Sequence, residues 1–122
     1  MILEYLRDKL INSGVTVPVY INYSPPNPDD IILIRSILGR KPEVGLDYDF
    51  PSFQVLCRSK SHNTARTLAF KVYDTFHEAP SMLDSPIIDM QGLQSPYFAG
   101  QDEQNRYFYA QIFQTEIQRT II

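Results

Sequence analysis

From Ala65 to Phe76, the residues Ala65, Leu68, Ala69, Val72, Tyr73 and Phe76 fall at i, i+3, i+4, i+7, i+8 and i+11. That spacing follows the 3.6-residue period of an α-helix and gathers its apolar side chains into one broad stripe. Such a helix cannot stand alone in water and must lay the stripe against a sheet or another helix. Ser61 or Asn63 can cap its first turn, and Pro80 ends it.

The segments around it supply the sheet. Leu3, Leu6 and Leu10, with Ile2 and Ile11 beside them, predict a first helix over about residues 2–13, stopped by Gly14. Residues 15–21 are β-branched and read as a strand, with Pro18 arguing for an edge position or a bulge. Pro25, Pro26 and Pro28 then enforce a loop, because each removes a backbone donor. Residues 31–38 form a nearly continuous apolar run, the pattern of a buried strand. The mixed Gly39–Phe50 segment reads as a long loop or extended arm, followed by an alternating strand over 52–58. After the second helix come a short strand over 87–90, a turn-rich stretch, and a long strand over about 106–117. That last strand is apolar on both faces near Ile112 and Phe113, so it is expected to be central and covered on both sides. The expected fold is one α+β domain over residues 1–122. It has two helices and a mixed or antiparallel sheet of about five strands, in the order α-β-β-β-α-β-β. A chain of 122 residues is long enough for one continuous core of that kind.

Charge divides the chain. Seven basic residues (Arg35, Arg40, Lys41, Arg58, Lys60, Arg66, Lys71) stand against three acidic ones over residues 35–71, whereas two stand against seven over 72–122. The net charge of −3 gives no general attraction to nucleic acid or to acidic membranes. No apolar run approaches the roughly 20 residues that cross a bilayer, and the first residues read as an amphipathic helix rather than a leader. A single cysteine, Cys57, permits no internal disulfide and fits a reducing compartment.

No constellation for catalysis or for a cofactor emerges. His62 and His77 sit near opposite ends of one predicted helix, roughly 22 Å apart at helical rise. Cys57 and His62 can approach as strand end and helix start, but nothing supplies an orienting third group. The pairs Asp29/Asp30 and Asp47/Asp49 lie in turn-forming connections, where Asp is common for conformational reasons. The cluster Tyr107-Phe108-Tyr109 has only Arg106 nearby as a cation, so core packing is a better reading than base stacking.

Two stretches resemble a known family. Residues 47–61 (DYDFPSFQVLCRSKS), with Ala65 to Ala69 and Val72 to Asp74 after them, are similar to a segment of small phage minor capsid proteins. These are grouped with the tail terminators of long-tailed, non-contractile phages. Residues 94–103 (QSPYFAGQDE), with Arg106 and Tyr107, resemble a second family segment. The resemblance implies a structural virion protein, made in the host cytoplasm, that stops growth of the tail tube and forms its junction with the head. It implies a homo-oligomer in the form of a hexameric ring, with the tube protein and head-completion proteins as partners. It brings no catalytic, cofactor or metal residues, and at most passive contact with DNA in the channel. The alternative within the same particle is a head-closure or minor capsid component. For the subunit interface the charge asymmetry nominates Arg40, Lys41, Asp47 and Asp49 on the arm, with Asp102 and Glu103 in the turn before the last strand.

Overall fold

The computed structural model describes residues 2–40, 48–77 and 87–118. Among these, two helices and six strands follow the chain as α1 (Ile2–Asn12), β1 (Val19–Ile21), β2 (Ile31–Arg40), β3 (Tyr48–Ser59), α2 (His62–Phe76), β4 (Ile87–Gly92), β5 (Tyr97–Gln101) and β6 (Tyr107–Gln118). The expected α+β order is present, with one further strand, β5, inside the turn-rich stretch. The sheet runs β1-β2-β3-β6-β4, and β5 pairs with β6 end to end with β4. It is mixed: β1 is parallel to β2 and every other pairing is antiparallel.

Both helices lie on one face. The register puts Ile32 opposite Cys57 and Ile34 opposite Val55. It also puts Phe53 opposite Phe113 and Cys57 opposite Tyr109, so these side chains share a face. Onto it α1 sets Leu3, Leu6 and Leu10, and α2 sets Ala65, Ala69, Val72 and Phe76, all buried. Phe53 and Phe113 lie 5.3 Å apart and nearly parallel, and Phe76 meets them edge-on at 5.9 and 5.5 Å. Offset-stacked and T-shaped pairs of this kind hold beyond their buried area. Ser61 is the N-cap of α2, accepting from Thr64 N–H at 3.2 Å. The helix stops at Phe76; Pro80, expected to end it, lies outside the described residues.

The strand β6 is central, but among the described residues no helix covers its second face. There Leu33, Leu56, Phe108 and Ile112 are only half-buried, and Arg35 is exposed with its Nε on Gln54 Oε1 at 2.7 Å. The expectation of cover on both sides therefore fails: one α-layer suffices because this face is half polar. One end of it is covered instead by the proline-rich loop between β1 and β2.

Local chemistry also shortens or lengthens the expected strands. Pro18 has no N–H to offer, so β1 spans only Val19–Ile21, while Pro18 O still accepts from Ile32 N at 3.0 Å. Asn22, at φ 58°, turns the chain away after β1, and its Oδ1 accepts from Ser36 N–H at 3.0 Å. Both ends of the expected loop over residues 39–50 are strand: Arg40 pairs with Phe50, and Tyr48 with Gln118. Pro51 is tolerated inside β3 where the ladder to β6 lapses, its carbonyl taken by Thr115 Oγ1 at 2.7 Å.

Candidate functional site

Of the residues nominated for chemistry, Cys57 belongs to the core, while the exposed His62 and the half-buried His77 pack on neighbouring rings. Cys57 is fully buried, and that burial pushes its thiol far up, away from the thiolate a nucleophile or metal ligand requires. His62 Nε2 lies 3.0 Å from Tyr109 Oη, and its ring packs on Tyr107 and Phe98 at 5.2 and 5.8 Å. His77 stacks on Tyr73 at 4.7 Å, and its Nδ1 accepts from Gly92 N–H at 3.0 Å. A Cβ at Gly92 would stand 2.8 Å from Tyr73 Cε1, so glycine is what lets β4 approach the end of α2. Among the described residues no three His, Cys, Asp or Glu side chains are grouped to hold a metal. No helix among them is long and apolar enough to cross a membrane.

One end of the sheet carries a polar anchor that the sequence reading passed over. Arg58 and Arg106 are buried, and both reach the proline-rich loop. Arg58 donates from Nη2 to Pro25 O at 2.9 Å and Pro28 O at 2.7 Å, and from Nε to Asp29 O at 3.2 Å. Arg106 donates from Nη1 to Pro26 O at 2.6 Å and from Nε to Asp102 Oδ2 at 2.7 Å. A loop with three prolines has carbonyls but few N–H groups, so it cannot pair with itself, and two guanidinium forks supply the missing donors. Asp29 stands 3.7 Å from Arg106 and 3.8 Å from Lys60, which balances the charge. Burial pushes the Asp102 carboxyl up, but hydrogen bonds from Arg106 and from Gln104 N–H outweigh it and hold the group below the usual carboxylate range.

The nominated interface residues fall into two sets that the fold separates. Arg40 closes β2, and Asp49 lies in β3 opposite Ile117, at the hairpin end of the sheet. Lys41 and Asp47 lie outside the described residues. Asp102 and Glu103 form the turn at the opposite end of β6, a strand of 12 residues; at the usual rise that is roughly 40 Å. Asp102 is committed to Arg106, whereas Glu103 is exposed.

Exposed apolar side chains mark a third kind of surface. Leu93, Tyr97 and Phe98 lie on the outer margin formed by β4 and β5, and Ile11 and Tyr23 lie by α1 and β1 at the other margin. Periodicity alone did not single them out, because β5 was not recognised as a strand.

Comparison with known proteins adds the context. The family described as bacteriophage tail terminator protein matches residues 9–119. No curated protein matches the sequence. A chain in a structure titled "Virion of native gene transfer agent (GTA) particle" has the same fold, with a TM-score of 0.73 at 14% identity over 93% of this chain and 91% of that one.

Proposed function

The chain belongs to the bacteriophage tail terminator family, and from that premise we propose that it caps the tail tube as a ring and forms the tube's junction with the head. The observation that carries this reading is the family match over residues 9–119, on a fold shared with a chain of a virion particle. A structural part in the tail asks for a rigid scaffold with unlike surfaces and needs no reactive group. The buried Cys57 and the two histidines engaged in packing are consistent with that. In a ring of identical subunits every lateral contact is heterologous, so one patch meets a different patch.

The two charged ends of the sheet fit contacts with unlike partners above and below such a ring. The end of the sheet that holds Arg40 and Asp49 meets one neighbour along the tail axis. The turn end, with Glu103 exposed and Asp102 shaping the turn, meets the other. Tube protein and head-completion protein are those neighbours, and rim charges of this sort act mainly on association rate and salt dependence.

Electron microscopy of particles made without the gene tests the reading. Tails of abnormal length that fail to join heads are the expected result. Tails of normal length beside unjoined heads would instead assign the chain to head closure.

A further inference from the structure

Five large apolar side chains stay exposed among the described residues, and they sit at the two lateral margins of one sheet. Leu93 (57% exposed), Tyr97 (36%) and Phe98 (50%) belong to the β4–β5 margin; Ile11 (50%) and Tyr23 (65%) belong to the β1–α1 margin. We propose that these margins bind each other between copies of the chain, the β4–β5 margin of one subunit packing against the β1–α1 margin of the next. This rests on the ring reading above and names the surfaces that would close it.

Charge selects the partner. Arg106 is the only Lys or Arg in residues 87–118, and it is buried on Asp102, whereas the same span also holds the acidic residues Asp89, Glu103 and Glu116. Set against itself, the β4–β5 margin would oppose carboxylate to carboxylate. The β1–α1 side carries both signs: Glu4, Arg7, Asp8 and Lys9 on α1, with Arg7 on Asp8 at 3.4 Å, and an exposed Arg35 on β2. Pairing the acidic margin with this mixed one avoids the repulsion that two copies of the acidic margin would meet.

The main chain decides the kind of contact. Free strand edges invite a ladder between molecules, but both margins are blunted. In β5 the register slips between Phe98 and Gly100, with Gly100 at φ +118°, and β4 slips between Ile87 and Asp89. β1 offers three residues before Asn22 turns away. Side chains, not a continued sheet, make the contact. Phe98 is suited to anchor it, because His62, Tyr107 and Tyr109 already hold its ring from behind at 5.8, 6.3 and 6.0 Å. An aromatic ring fixed before contact loses little freedom on binding.

Site-directed cross-linking tests the proposal. Tyr23→Cys and Leu93→Cys are made singly and together, at positions exposed enough to spare the fold. The buried Cys57 should leave the unmodified chain unreactive to a short bismaleimide, which serves as the control. Expected are no covalent dimer from either single variant, dimer and nothing larger from their mixture, and from the double variant a ladder that ends at the ring number. Dimers from a single variant alone would overturn the head-to-tail arrangement. No cross-link in a mixture that sediments as an oligomer would overturn the choice of margins and leave the ring standing. One copy per particle by quantitative mass spectrometry would remove the ring itself, and this contact with it.

Discussion

The two faces of the sheet are held by different physics. On the helix side, buried Leu, Val, Ala and Phe interlock, and the energy comes from area removed from water and from ring packing. On the other side, where the proline-rich loop crosses one end, Arg58 and Arg106 hold backbone carbonyls instead. The difference lies in what each cover brings. A helix satisfies its own backbone and presents only side chains, whereas a loop with few N–H donors presents unpaired oxygens. Apolar side chains beneath it would leave those oxygens buried and unbonded, at about 1–3 kcal/mol each.

The sharpest way to break the comparison is on the helix side. Phe76→Ala should cost about 3–5 kcal/mol in urea melts, since its ring meets both Phe53 and Phe113. A variant as stable as the parent would mean that the stripe of α2 does not carry the core. On the loop side, Arg58→Met strands the carbonyls of Pro25, Pro28 and Asp29. A loss of about 2–4 kcal/mol is expected. The two variants differ in where the loss appears: hydrogen exchange should rise around Asn27 and Asp30 more than in α2. Equal exchange in both regions would erase the distinction between the faces.

Smaller effects refine it. The folded Asp102 carboxyl is held low, so its contribution to stability is full above the unfolded value near 3.8 and is lost as pH falls through the folded value. Asp102→Asn should flatten that acid limb of a stability profile and leave the neutral limb unchanged in slope. Smallest is Gln111→Leu. Gln111 is fully buried, donates from Nε2 to Ala69 O at 2.9 Å, and leaves Oε1 without a hydrogen bond. Thermal unfolding should show this change as neutral or stabilising by up to about 1 kcal/mol, because it removes a desolvated oxygen from the apolar side.

These contrasts also explain what was legible in the sequence. The stripe of α2, the run of β2 and the central place of β6 could be read because each depends on residues close along the chain. The strand β5 could not, since the slip at Ala99 and the positive φ of Gly100 break the alternation that marks a strand. The ends of β2 and β3 read as loop because Gly39 and Pro51 are poor strand residues, and only the pairing of β2 with β3 and of β3 with β6 compensates for them. The arginine anchor was hidden for another reason: Arg106 and Pro26 are 80 residues apart, and neither carries a local signal of the other. The exposed margins became visible only once the strand order was known. The nominated charges could be chosen from composition, but not their separation to opposite ends of β6.

The place of β6 has a consequence for synthesis. It is the last strand along the chain, yet it lies between β3 and the β4/β5 pair. As the polypeptide leaves the ribosome, β4 and β5 emerge before the only strand they pair with, and the proline-rich loop waits for Arg106. A chain interrupted before residue 106 would therefore lack both the Arg106 contact to the loop and the strand on which β4 and β5 pair.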